Sequence, residues 1–297
     1  MSYGITTSLF TWDDIPLVHE LISSAWAKRR ARSYLHIGDF YWSLRPSKQF
    51  DPERDLRLWR VDGQPAAFAW FDRPTSGEVV VRPCTPEELE NDAISWLETE
   101  HRRTAPDVAF TVCAIDDDAH RTTTLTERGY VRGDAGAHRF HRRIESPWAI
   151  APLPDGFSVR SISSDDDISR RVFAQRTSFE RSSATVDVWR ALMRLPGYRP
   201  QLDLIAVAPD GTGAGGCTCW YDEANRAGEF EPVGTSHAYQ RMGIGKAIVT
   251  DGLRRLQGVG ATEAIVQTNS TNAAAIALYR SCGFELAATQ HDWTKKL

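Results

Sequence analysis

Cysteine is scarce in this chain, five residues in 297 (Cys84, Cys113, Cys217, Cys219 and Cys282). An odd, scattered set excludes the paired framework that staples small secreted domains, and a reducing, cytoplasmic setting is expected. Cys217 and Cys219 form C-x-C with no second pair to complete a site, so no metal is expected. Long apolar runs are missing as well. Without a bilayer-length stretch or an early charged-then-apolar leader, neither a membrane span nor export is expected. Excess positive charge is also absent: 35 Lys and Arg stand against 39 Asp and Glu, a formal charge of -4 with a pI near 6.1, which argues against nucleic acid as a partner. What is present, 41% hydrophobic and 25% charged residues, is the mixture of a folded globular chain. Its length accommodates two domains, each with its own core.

A weak internal repeat organises the rest. Asp55-Leu56-Arg57-Leu58-Trp59-Arg60-Val61-Asp62-Gly63 parallels Asp203-Leu204-Ile205-Ala206-Val207-Ala208-Pro209-Asp210-Gly211, each an extended run closing in a D-G turn. Ala69-Trp70-Phe71-Asp72 matches Cys219-Trp220-Tyr221-Asp222, Gly77-Glu78-Val79 matches Gly228-Glu229-Phe230, and Glu127-Arg128-Gly129-Tyr130 matches Ser281-Cys282-Gly283-Phe284. Between the repeats, Ser146 to Gly156 carries three prolines that forbid a regular helix or central strand. The first half is expected to place helices over 12–30 and over 87–103, the second opening after Pro86 with Glu87 and Glu88 in its first turn.

In the second half a strand over 228–235 feeds Gln240-Arg241-Met242-Gly243-Ile244-Gly245-Lys246. A helix comes next, marked by Val249, Leu253 and Leu256 and stopped at Gly258 and Gly260. A glycine turn at a helix start turns unpaired backbone N–H groups and the positive dipole end toward one point, which suits an anion. Glycine lets a phosphate approach the amides, and no carboxylate occurs from Pro232 to Thr250, while Arg241 and Lys246 add positive charge. The pattern is neither a Walker loop nor a dinucleotide fingerprint. A further strand over 264–268 leads to Asn272, a short helix through Tyr279, and Gly283-Phe284.

Val233-x-Thr235, then Gln240-x-x-Gly243-x-Gly245, then Asn272 and Tyr279 ahead of Gly283-Phe284, together resemble the acetyl-CoA-binding half of the GNAT superfamily of N-acetyltransferases over about residues 200–297. The resemblance implies an α/β fold with mixed sheets, two tandem GNAT-like acyl-CoA N-acyltransferase modules. These would be a degenerate one over 1–146, a linker over 147–156 and a catalytic one over 157–297. It implies that Gln240 and the amides of Arg241, Met242, Gly243, Ile244, Gly245 and Lys246 hold the coenzyme A pyrophosphate. Backbone groups of Val233 and Thr235 would pair with the pantetheine arm, and Asn272 would touch that arm or simply cap its helix. A primary amine would attack the thioester directly. Glu229 takes the position of the general base and Tyr279 that of the acid for the leaving thiolate. If the strand is regular, Glu231 shares the face of Glu229 and either could serve.

The first half keeps Glu78 opposite Glu229 and little else. It reads Pro83-Cys84-Thr85-Pro86-Glu87-Glu88-Leu89-Glu90 where the second has its glycine turn, Asp118 where the second has Asn272, and Leu125 where it has Tyr279. Its expected roles are to wall the acceptor cleft and to bury its neighbour's strand edges. The aromatic residues Trp26, Tyr34, Phe40, Tyr41 and Trp42 are expected mostly as core. The reading is an N-acetyltransferase with acetyl-CoA as cosubstrate and an amine acceptor of unknown identity, as a monomer or homodimer. The alternative is an acyl-CoA sensor without turnover.

Overall fold

The D-G pair at 62–63 places both residues in the left-handed region, Asp62 at φ 50° and Gly63 at φ 80°. That primed geometry matches the right-handed twist of the strands it joins. The structure, a computed structural model, describes residues 4–47, 50–86, 88–145 and 149–297. The first half runs β1 (Ile5–Leu9), α1 (Ile15–Arg29), α2 (Ile37–Ser43), a single turn α3 (Pro52–Asp55), β2 (Leu56–Val61), β3 (Gln64–Asp72), β4 (Ser76–Val81), α4 (Glu88–Thr104), β5 (Phe110–Ile115), α5 (Ala119–Glu127) and β6 (Val131–Arg143). The second runs β7 (Ser158–Ser161), α6 (Asp165–Ser178), α7 (Val186–Leu192), β8 (Asp203–Val207), β9 (Gly213–Asp222), β10 (Ala227–Thr235), α8 (Ile244–Gly258), β11 (Glu263–Asn269), α9 (Ala273–Ser281) and β12 (Glu285–Lys295).

The helix expected over 12–30 is split. Thr11 caps a 3-10 turn at Trp12–Asp14, Pro16 enters the first turn of α1, and a second 3-10 turn lies at Arg30–Arg32. The run expected to be extended from Asp55 begins at Leu56 instead, because Pro52 and the Asp51 cap close one helical turn first. Glu87, the expected start of α4, and Ser146, Pro147 and Trp148 of the proline-rich connection lie outside the described residues.

Among the described residues, twelve strands join one mixed sheet in the order β1-β2-β3-β4-β5-β12-β6-β11-β10-β9-β8-β7. The halves exchange their last strands: β12 pairs with β5 of the first half, and β6 pairs with β11 of the second. The two exchanged strands also pair with each other. The repeat seen in sequence reappears in the registers. Trp70 lies opposite Glu78 as Trp220 lies opposite Glu229. Gly77 sits under Leu97 of α4 as Gly228 sits under Leu256 of α8.

Alternation along the strands sorts side chains to two faces. Phe68, Val80 and Trp220 enter a core shared by both halves beneath α1, α2, α6 and α7. On the opposite face Ala67, Ala69 and Val79 pack under α4 in one cluster, and Cys217, Cys219 and Phe230 under α8 in another. Trp293, carried by β12, belongs to the cluster beneath α4.

Candidate active site

The strands β10 and β11 are paired only from Ala227 to Glu229 on β10, and then they part. Beyond that point β10 keeps β9 on its other edge, Val233 opposite Cys217 and Thr235 opposite Gly215, with an irregularity between Phe230 and Val233. A bulge of this kind bends the strand and re-aims the residues beyond it. Backbone groups of Val233 and Thr235 on the β11 side are therefore open to an extended ligand arm, as in the addition of a further strand.

At the mouth of that gap Arg241 (φ 61°) and Gly243 (φ 83°) turn the chain into α8, whose start has no side-chain cap. The helical hydrogen bonds begin with the Ala247 amide donating to the Gly243 carbonyl, so the preceding amides have no partner inside the helix. A Cβ on Gly245 would come 3.2 Å from Leu278 Cδ2 and from Thr235 Oγ1, filling the cradle. Val233, Thr235, Gln240, Arg241, Gly243, Ile244, Gly245, Lys246 and Asn272 all line one cavity of about 440 Å³. Met242 does not; it is 43% exposed and only its amide is available to the turn. Asn272 also caps α9, accepting from the Ala275 amide at 3.1 Å. Uncapped amides, two flanking cations and an absence of carboxylates fit the pyrophosphate of coenzyme A.

Glu229 is 1% exposed. Its Oε2 accepts from the Asp39 amide at 2.9 Å and lies 3.1 Å from His36 Nδ1, both contributed by the first half. Burial works against a charged His36 ring, but the neighbouring Glu229 carboxylate outweighs it and holds the imidazole above its ordinary range. Gly38 permits this approach, since a Cβ there would strike Glu229 Oε2 and the Trp220 ring. Glu229 borders neither the 440 Å³ cavity nor two smaller ones near it, whereas Glu231 lines both of the smaller. One of them, about 290 Å³, is walled by Trp42, Arg45, Phe179, Trp189 and Pro232, and shares Phe179 with the 440 Å³ cavity. The other, about 220 Å³, is walled by Asp39, Trp42, Trp70, Asp72 and Glu78. Burial first, and then the charges of Asp39 and Glu229, push the Glu231 carboxyl up to about 8.

Tyr279 is 5% exposed, its ring 6.2 Å from those of both Phe140 and Phe284. Burial, then the charge of Glu231, raises its hydroxyl above the ordinary tyrosine value. It is not part of the wall of the 440 Å³ cavity, which α9 reaches through Ala274, Ala275, Ala277, Leu278 and Ser281.

The corresponding gap in the first half is filled by side chains. Asp118 caps α5 as Asn272 caps α9, but it also accepts from the Tyr34 hydroxyl at 2.9 Å and pairs with Arg29 at 2.7 Å. Arg121, 2% exposed, lies 3.6 Å above the Tyr34 ring, pairs with Glu90 and donates to the Val79 carbonyl at 2.8 Å. Thus Glu90 is engaged by a buried cation. Glu78, the counterpart of Glu229, takes the Cys113 thiol at 3.1 Å, and burial raises its carboxyl. Cys217 and Cys219 lie in the core with Sγ atoms 3.7 Å apart. No group of three or more metal-ligating side chains occurs among the described residues, and no described helix is long and apolar enough to cross a membrane.

Sequence reasoning left out Asp39 and Arg45, and it named Trp42 only as core. Trp26, Tyr34, Phe40 and Tyr41 are buried, but Trp42 borders both cavities at Glu231. Charged residues on either side of an aromatic, Asp39 in the first turn of a short helix and Arg45 just after its end, were the available signal.

Residues 170–284 match the model of the acetyltransferase (GNAT) family. The mycothiol acetyltransferase of Kineococcus radiotolerans is 31% identical over 148 residues, covering 48% of each chain. That of an Arthrobacter species is 30% identical over 149 residues, 45% of this chain and 44% of its own. The chain thus spans about half the length of the curated relatives it matches. A tandem GNAT protein from the clavulanic acid biosynthesis pathway superposes over 99% of this chain and 98% of its own, with a TM-score of 0.67 and 14% identity. A GCN5-related N-acetyltransferase from Sphaerobacter thermophilus does so over 98% and 95%, with a TM-score of 0.65 and 18% identity. At these identities the two structures speak for the fold.

Proposed function

With residues 170–284 a GNAT acetyltransferase module, we propose that the chain transfers an acetyl group from acetyl-CoA to a primary amine at the gap between β10 and β11. Residues 1–146 are read as a degenerate module and 157–297 as the working one. The observation that carries this reading is the uncapped turn at 241–246 opening on the same cavity as Val233, Thr235 and Asn272, with Glu231 one bulge away. The turn and Lys246 would hold the pyrophosphate, and the free edge of β10 the pantetheine arm. An amine near pKa 10.4 arrives as ammonium, so Glu231 accepts its proton before nitrogen attacks the thioester carbon. The departing sulfur takes a proton from Tyr279, which regains one from the substituted nitrogen. Glu229, tied to His36 and to the Asp39 amide, is read as holding the first half in place beside the site.

The test is release of free coenzyme A thiol against a panel of amines. Acceptor-dependent release supports transfer. Acetyl-CoA that raises the melting temperature but is never turned over favours an acyl-CoA sensor, the reading supported by Tyr279 lying outside the cofactor cavity wall. No thermal shift far above a plausible Kd removes the cofactor assignment altogether. Tyr279→Phe is expected to lower kcat by about tenfold to 10²-fold while leaving acetyl-CoA affinity unchanged, measured by steady-state kinetics beside calorimetric binding. Equal kcat in the variant would remove Tyr279 as the acid.

The acceptor of the mycothiol acetyltransferases is one candidate class among amines for this chain. The cavities at Glu231, with Trp42, Asp39 and Glu78 on their walls, are where the acceptor would be read.

A further inference from the structure

The cavity of about 220 Å³ at Glu231 is walled largely by the half of the chain that has no cofactor turn. Asp39, near the start of α2, lies on that wall, and its position is over-determined. Its amide donates to Glu229 Oε2 at 2.9 Å, its own Oδ2 accepts from the His36 amide at 2.8 Å, and Arg139 Nη2 stands 3.7 Å from the same oxygen. Held this way, the carboxyl cannot swing out of the cavity it shares with Glu231.

Other charged and titratable groups also surround Glu231, and several are already engaged. Glu229, on the same strand, is taken by His36 and the Asp39 amide. Arg45 folds back on Trp42, donating to its carbonyl at 2.5 Å and lying 4.1 Å above its ring. Asp72 and Glu78 also line the small cavity, Glu78 bound by Cys113. Arg181 is at the exposed rim of the larger cavity, and Tyr279 approaches from α9.

Resting on the reading of Glu231 as the base, we propose that Asp39 is a positioning residue for it, a like charge supplied by the first half and fixed on the same cavity, which strengthens the hold of Glu231 on the proton it takes. A carboxylate with an ordinary pKa of about 4.3 has little affinity for an ammonium proton, and a second carboxyl fixed on the same cavity raises that affinity. Burial and Glu229 lift Asp39 itself above the usual carboxylate range against the pull of Arg139. The half without a cofactor turn is then a working part of the site.

Asp39→Asn keeps the backbone amide that anchors Glu229 and removes only the charge. Its midpoint in the pH profile of kcat/KM is expected about one pH unit below that of the wild type, and Asp39→Glu is expected to restore it. An infrared titration of the protonated carboxyl band, assigned to Glu231 by its loss in Glu231→Gln, should show the same downward move. It needs no acceptor, so an undiscovered amine and a wrong inference give different results. If the Glu231 band titrates at the same pH in Asp39→Asn as in the wild type, with melting temperature and acetyl-CoA binding preserved, the inference is overturned.

Discussion

Deleting residues 285–297 is expected to abolish cooperative folding of both halves, although the cut removes only the last strand. β12 lies between β5 and β6, and β6 is in turn the neighbour of β11. Its loss strips β5 and β6 of their ladder partner in the middle of the sheet and takes Trp293 out of the cluster beneath α4. Removing the Trp293 side chain alone is worth about 3–5 kcal/mol, and the whole stability of a domain is about 5–15 kcal/mol. The unpaired backbone groups of two central strands add to that loss. Differential scanning calorimetry of the truncated chain should therefore show no transition. Fragments 1–145 and 149–297 should each be unfolded alone and regain a transition when co-expressed, because each supplies the strand the other lacks. A normal melt of either fragment by itself would show that the exchange is dispensable.

Glu231→Gln is expected to reduce kcat by about 10³-fold with acetyl-CoA affinity preserved, since Glu231 lines the two smaller cavities and not the 440 Å³ cavity at the 241–246 turn. The wild-type rate should rise with pH through about 8, the value to which burial and the charges of Asp39 and Glu229 push this carboxyl, and then level off. A base works only when it has lost its proton, which gives the slope its sign. The same group makes the folded chain bind a proton more tightly than the unfolded one. Its contribution to stability is therefore lost as pH climbs from about 4.5 to about 8, and Glu231→Gln should flatten that part of the melting-temperature curve. If kcat of the variant equals that of the wild type, the base lies elsewhere, and Glu229→Gln becomes the comparison to make.

Much of the cofactor side was legible because local backbone chemistry builds it. Gly243 needs a left-handed φ, Gly245 needs space, and Arg241 to Lys246 must present amides, so the residue types announce the geometry. The repeat was legible for a similar reason: Trp70 with Glu78 and Trp220 with Glu229 are cross-strand pairs, and a strand's period of two carries them along the chain. The acceptor side was much less so. Glu229 and Glu231 read alike, two residues apart on one strand. They differ in that His36, 193 residues away, reaches the first and leaves the second to the cavities. The crowded gap of the first half was legible as a missing glycine turn, but not as a site filled by Arg121, Glu90 and Tyr34.

The sequence by itself determined the glycine turn ahead of α8, the strands that flank it and the kinship of the two halves, because these arise from φ preferences, side-chain period and hydrogen-bond supply within short stretches. Only the tertiary structure decided that β6 and β12 trade places, that α2 of the first half lies against β10, and that Asp39 and Trp42 line the same cavity as Glu231. Those contacts join residues far apart in the chain, where burial and charge depend on what packs opposite and not on the neighbours in sequence.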